Sequence, residues 1–175
     1  ITKQINDIEH LVNEFSDFAR MPKPILKIIS IKKVILRSVN LHELSEESIK
    51  FEVSKKNIID HVKGDEEQLN RVFINLLKNS IESINEKKIK NVDFKGKIKV
   101  EINSYSDYIY VSVEDNGVGF THIDKKEMVT PYFTTKKKGT GLGLAVVSKI
   151  ISDHNSTILF NSINEGAKIE ISIPI

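Results

Sequence analysis

The sequence predicts an α/β sandwich of the α+β class, with a mixed sheet of about five strands, helices packed on one face, and an extra helix at the N-terminus. Three observations carry this. Hydrophobic periodicity gives the order helix, helix, strands, long helix, strands, glycine-rich loop, helix, strands. Two of the strand groups read as hairpins, so their neighbours should run antiparallel. The regular strand–helix alternation of a doubly wound fold is missing.

The first helix carries a seam. Ile1, Ile5, Ile8, Val12, Phe15 and Ala19 recur at spacings of four and three, and Leu11 and Phe18 widen the stripe. Met21-Pro22-Lys23-Pro24 ends it, because proline lacks a donor and disfavours helical geometry in the residue before it. The pattern alone fits a lever or dimer element and equally an amphipathic helix lying on its own domain. Ser30 is placed to cap a second helix with Ile31, Val34, Ile35, Leu41 and Leu44 on one side. Strands are expected over Ile49–Ser54 and Ile58–Val62. Gly64 and Asp65 stop and cap, and the strongest helix then runs to about Asn85, with Leu69, Val72, Phe73, Leu76 and Leu77 facing a core. A hairpin should join Lys97–Ser104 to Tyr108–Glu114, and a second should join Thr157–Asn161 to Lys168–Ile173 across Asn164-Glu165-Gly166. Between them, a weakly periodic stretch leads to Gly139-Thr140-Gly141-Leu142-Gly143-Leu144, which opens a helix to about His154.

Composition narrows the function classes. The chain has 175 residues, 39% hydrophobic and 29% charged, which suits one globular core and argues against disorder. Its 26 basic and 24 acidic residues leave a net charge of +2, too small an excess to suggest nucleic-acid binding. Without cysteine, disulfides and thiolate metal sites are excluded. No apolar run approaches the ~20 residues of a membrane span. Ile1 falls inside the amphipathic pattern, so residue 1 is expected to be an internal boundary of a longer protein.

Three local patterns carry chemistry. Asn75 and Asn79 are one turn apart on the long helix, and their amide oxygens suit a hard cation such as Mg2+. Asp115-x-Gly117-x-Gly119 follows a strand directly; its carboxylate can accept from an exocyclic amine while the glycines let backbone approach a flat base. Gly139-x-Gly141-x-Gly143 opens a helix, and glycine-rich backbone at a helix N-terminus suits phosphate. It is neither a dinucleotide fingerprint nor a Walker loop. Each pattern alone is weak: solvated asparagines, a DNG turn and a plain glycine loop would account for them.

In combination they are specific. Asn75/Asn79, Asp115/Gly117/Gly119, Pro131-Tyr132-Phe133-Thr134-Thr135-Lys136 and Gly139/Gly141/Gly143 occur in the order of the N, G1, F and G2 boxes of sensor histidine kinases. The chain therefore resembles the catalytic ATP-binding domain of that family, within the Bergerat-type ATPase group that includes gyrase, the Hsp90 chaperones and the MutL repair proteins. The boxes span residues 69–145. FSDFARMPKP and PYFTTKKKGTGLGL look most like the nitrogen-regulation, NtrY/NtrB-like branch.

The resemblance implies roles. Asp115 would take the adenine amino group, with Gly117 and Gly119 beside the ring. Asn79 would hold Mg2+, with Asn75 adjacent to metal and phosphates. Gly139, Gly141 and Gly143 would wrap the phosphates of ATP, aided by the N–H groups of Thr140 and Leu142. Thr134 and Thr135 would join the nucleotide contacts, residues 120–138 would form the ATP lid, Phe133 would anchor it, and Lys136 would offer charge. Residues 1–22 would be the second helix of a dimerisation hairpin and residues 23–175 the catalytic domain. Partners would be ATP, a second copy through the N-terminal helix, and a cognate response regulator. The location would be the cytoplasmic part of a membrane-anchored sensor, with no nucleic acid and no direct membrane contact by this segment.

One position separates kinase from ATPase. Hydrolysing relatives carry a glutamate one turn before the metal asparagine to activate water, and here that position is Asn75, a poor general base. The resemblance thus implies transfer of the γ-phosphoryl rather than hydrolysis. Other readings are a hydrolytic ATPase of the same fold and a degenerate scaffold module, the latter disfavoured by intact motifs. Two departures stand out. Glu82 occupies a position often basic in kinases, leaving Lys78, Arg71 or Lys136 to compensate, and Gly166-Ala167 replaces a frequent Gly-Thr pair. The five histidines are His10, His42, His61, His122 and His154, and none sits in the acceptor context H-[ED]-x-x-[NT]-P. The acceptor is expected upstream, and no phosphorylation of His10 is expected.

Overall fold

The computed structural model describes residues 5, 9, 12, 15–16, 18–56, 59–120, 125–134 and 139–175, with only the backbone at 125–126. Expectations for Ile1, Ile8, His10, Leu11, Ile58, His122, Thr135 and Lys136, and for parts of the 120–138 stretch, lie outside the described residues.

The described N-terminal residues up to Ala19 are helical, with Ile5, Val12 and Phe15 about half exposed. Phe18 and Met21 rest against the core. Next come β1 (Lys27–Ser30), α1 (Ile31–Glu43), β2 (Ile49–Lys56), β3 (His61–Gly64), α2 (Glu66–Lys90), β4 (Gly96–Tyr105), β5 (Tyr108–Asp115), the single turn α3 (Lys125–Met128), α4 (Gly143–Asp153), β6 (Thr157–Ser162) and β7 (Ala167–Pro174). The main sheet has five strands in the order β2-β4-β5-β7-β6, and β1 pairs with β3 apart from it. β2 and β4 are parallel; the other neighbours are antiparallel. This is the mixed five-stranded sheet expected.

Alternation explains the two faces of the sheet. Ile98, Val100 and Ile102 of β4, Ile109, Val111 and Val113 of β5, and Ile169, Ile171 and Ile173 of β7 are all buried. The helices α1, α2 and α4 pack on that side. The residues between them carry ion pairs: Glu52 with Lys50 and Lys97 (2.8 Å each), Lys99 with Glu101 (2.9 Å), and Lys168 with Glu170 (3.0 Å). Those pairs mark the face that meets water.

Helix starts follow sequence chemistry. The Ser30 hydroxyl accepts from the Lys33 N–H at 3.3 Å and caps α1. Asp65 caps α2, one carboxylate oxygen accepting from both Glu67 and Gln68 N–H at 3.1 Å. Its other oxygen accepts from Ile25 N–H at 2.9 Å, and Gln68 Nε2 donates to Pro22 O at 2.9 Å. The Pro22–Ile25 joint is thereby fastened to the start of α2.

Several expectations need correction. Leu41 and Leu44 do not share the buried face of α1: they are 58% and 85% exposed. The buried set is Ile31, Val34, Ile35, Ser38 and Val39, which places Leu41 at the edge of the stripe, and Leu44 follows the helix end. The strand expected over 58–62 lies at 61–64, because β3 takes its register from β1, with His61 opposite Ser30. β1 itself was not anticipated: four residues between a Pro-x-Pro joint and a helix cap carry no readable period. α2 continues past Asn85 to Lys90, its last turn charged and lysine-rich.

Candidate functional site

The carboxylate of Asp115 is built by strand alternation. Ile109, Val111, Val113 and Asp115 point to the same side of β5, so the last of them enters the interior under α2. It is 6% exposed. Oδ1 accepts from Gly117 N–H at 2.9 Å and from the Ser83 hydroxyl at 3.3 Å. Burial pushes this carboxyl above the ordinary aspartate range; the Gly117 N–H, the Ser80 and Ser83 hydroxyls and the Ala167 N–H pull the other way.

The loop after Asp115 lies directly on α2. A Cβ on Gly117 would fall 2.2 Å from Ser83 Oγ and 2.5 Å from the Ser83 carbonyl carbon, so only glycine fits. Gly119 has φ 71° and would strike the Gly166 carbonyl. Val118 N–H donates to Ser83 Oγ (3.0 Å) and Lys87 Nζ donates to Asn116 O (2.8 Å). Lys87 also stands 4.5 Å over the Phe94 ring.

A single helical stripe thus runs through the site. Asn75, Asn79, Ser83 and Lys87 recur every four residues along α2. At one end Asn75 Nδ2 donates to Arg71 O at 2.8 Å, while its Oδ1 stands 3.1 Å from where a Gly143 Cβ would be. Gly143 is the first residue of α4, which has no side-chain cap. The stripe therefore links the uncapped N-terminus of α4 to the loop around Asp115, one end suited to an anion and the other to a base amino group.

The glycine loop is held from the other side. Gly141 has φ 69°, and its carbonyl accepts from Tyr132 N–H at 3.1 Å. A Cβ there would lie 2.5 Å from the Tyr132 carbonyl carbon. Tyr132 has φ 70°, and its ring is 6.1 Å from that of Phe15 on the N-terminal helical segment. Phe133 is half-buried and Thr134 exposed beside this contact. Leu142 is buried, and its N–H meets Thr140 Oγ1 at 3.4 Å; Gly139 is exposed.

The structure brings together Asp115, Gly117 and Gly119 at one end of the stripe and Asn75 and Gly143 at the other, with Asn79 between them. Sequence reasoning missed Ser80, Ser83, Lys87 and the backbone of Ala167. The four-residue repeat from Asn75 to Lys87 gains meaning only once the loop after Asp115 is placed against α2, because hydroxyls and lysines are ordinary on helix faces. Ala167 brings only its N–H to Asp115, and the hydroxyls come instead from α2.

A mixed sheet whose inner strand ends in a buried carboxylate, facing a helix that carries two amides and a glycine-opened helix, is the architecture of a nucleotide-binding ATPase domain. The family model described as histidine kinase-, DNA gyrase B-, and HSP90-like ATPase matches residues 64–175, and the chain belongs to this family. It is 34% identical over 166 residues to the nitrogen regulation protein NtrY of Azorhizobium caulinodans, covering 95% of this chain and 21% of that protein. With an NtrY-like sensor histidine kinase of Rickettsia felis it shares 36% over 178 residues, covering 100% of this chain and 28% of the relative. The chain thus spans under a third of the length of these relatives. Among solved structures, the catalytic domain of the histidine kinase ThkA superposes with a TM-score of 0.74 at 28% identity, covering 85% of this chain and 95% of that one. ThkA in complex with its response regulator TrrA gives 0.80 at 23% identity, covering 99% and 48%, a likeness of fold. The chain is a histidine-kinase-type ATP-binding catalytic domain, similar over its length to NtrY-like sensor kinases. Among the described residues no helix is long and apolar enough to cross a membrane.

Proposed function

We propose that this domain binds ATP with Mg2+ and passes the γ-phosphoryl to a histidine outside residues 1–175, for relay to a response-regulator aspartate. The observation that carries the reading is Asn75. It stands where a hydrolytic enzyme needs a base, and its Nδ2 is committed to Arg71 O. An amide there cannot take a proton from water, whereas phosphoryl transfer asks mainly for positioning and charge neutralisation. An imidazole nitrogen attacks the γ-phosphorus, the bond to the β-phosphate oxygen breaks, and ADP leaves.

Asp115 accepts the adenine amino group; Gly139, Thr140, Gly141, Leu142 and Gly143 take the phosphates at the start of α4; Thr134, Thr135 and Lys136 reach the nucleotide from the lid at 120–138, which Phe133 anchors. The amide oxygens of Asn75 and Asn79 are hard donors of the type Mg2+ accepts, and glycine at 143 keeps a side chain from crowding Asn75 Oδ1, 3.1 Å from where its Cβ would stand. Mg2+ held there would supply neutralisation of phosphate charge. Residues 1–22 act as one helix of a dimerisation hairpin, in keeping with the exposed apolar side chains of Ile5, Val12 and Phe15. The complex of ThkA with TrrA supports a response regulator as partner.

The test mixes the chain with a dimeric helical hairpin carrying the family's acceptor histidine and γ-labelled ATP. The expected product is acid-labile label on the hairpin, with little free phosphate. Rapid phosphate release without labelled histidine would contradict the kinase reading and favour a hydrolase.

A further inference from the structure

The hydroxyl of Ser83 has one proton to donate and two lone pairs to accept with. All three are engaged. The lone pairs accept from Val118 N–H at 3.0 Å and Gly119 N–H at 3.4 Å, so the proton is left for Asp115 Oδ1 at 3.3 Å. Gly117 N–H reaches the same Oδ1 at 2.9 Å. Two donors converging on one oxygen fix the plane of the carboxylate. The hydroxyl therefore joins α2, the loop 115–119 and the buried acid in one junction, with no room between Gly117 and Ser83 for even a methyl group.

We propose that Ser83 is a positioning residue for base selection: it aims the Asp115 carboxylate at the amino group of adenine, and thereby sets the preference for a 6-amino purine over a 6-oxo purine. This rests on the reading of Asp115 as the adenine acceptor. Beside Gly117 N–H and the other donors to this carboxylate, the Ser83 hydroxyl is a second bond on Oδ1 from the α2 side and narrows the angle at which the acid can meet the amino donor. Inosine triphosphate carries an oxygen where ATP carries the amine, so an aimed carboxylate meets an acceptor and repels it. Burial works against the charged form of Asp115, and the Ser83 donor is one of the groups that favour it.

Lys87 provides the control. It fastens the same loop through Asn116 O at 2.8 Å without a bond to Asp115. Dissociation constants for ATP and inosine triphosphate would be measured with Mg2+ for wild type, Ser83→Ala and Lys87→Met, with thermal melting of each. Ser83→Ala should lower the ATP-over-inosine preference by about 3- to 10-fold, as fits loss of one long hydrogen bond to a charged group. Lys87→Met should weaken both nucleotides alike and leave the ratio unchanged. The proposal is overturned if Ser83→Ala keeps the wild-type ratio, or if Lys87→Met lowers the ratio as much. A wild type that binds ATP without preferring it would overturn the adenine reading of Asp115 itself, and a wild type that binds neither would overturn nucleotide binding altogether.

Discussion

Asn79 sits on the polar stripe of α2, beside and not within the set Leu69, Val72, Phe73, Leu76 and Leu77 that forms the core. Its replacement by alanine should therefore abolish Mg2+-dependent nucleotide binding while the apo protein still folds and melts cooperatively, since no apolar core contact is removed. Titration with and without Mg2+, paired with a melting curve, checks both halves. A large drop in apo melting temperature would show that the side chain belongs to the core. At this scale the sequence was readable where residue type is restrictive. A carboxylate followed by two spaced glycines, or a second such glycine run before a helix, has few innocent explanations once the order is right. Ser83 and Lys87 were not readable, because hydroxyls and lysines are ordinary on helix faces. Only the register of α2 against the loop 115–119 shows that both touch it.

The glycine loop shows what an element adds to its residues. Gly141 lies in the left-handed region at φ 69°, and its Cα is crossed by the backbone of Tyr132 and Phe133. A Cβ would approach Tyr132 C at 2.5 Å and Phe133 N and O at 2.8 Å. Gly141→Ala would meet the left-handed cost of about 1–2 kcal/mol and that clash besides. The Tyr132 segment should be pushed off the loop, and nucleotide affinity should fall at least about 10-fold, a change equivalent to ~1.4 kcal/mol. Competition with a fluorescent nucleotide measures this; unchanged affinity would show that this crossing plays no part in binding. Long elements with a clear period were legible here: β4 and β5 end within a residue of expectation, and α2 starts as expected but runs on from Asn85 to Lys90. β1 was invisible because its pairing with β3, not its own pattern, makes it a strand. The displacement of β3 has the same cause. For α1 the helical period was recognised, but the stripe was drawn too wide, and Leu41 and Leu44 were placed on a face that α2 does not reach.

Across the whole molecule, the sheet divides the labour. One face is apolar and carries the helices; the other is held by paired lysines and glutamates. The carboxylate at the end of β5 lies on the inner side because of that division, directly below the helix that carries both asparagines. Fold class and motif order were therefore legible together: the period-2 pattern that defines β5 is the same pattern that buries Asp115. The fastening of the Pro22–Ile25 joint to the α2 cap was not, since it depends on two hydrogen bonds between segments some 40 residues apart. The central claim is that the boxes from Asn75 to Gly143 form one ATP site. The most direct test is calorimetric titration of a nonhydrolysable ATP analogue with Mg2+ into wild type and Asp115→Asn. Saturable one-to-one binding by wild type, weakened at least about 10-fold by the substitution in a protein that still melts cooperatively, is the predicted result. No binding by wild type, or equal binding by both, would contradict it.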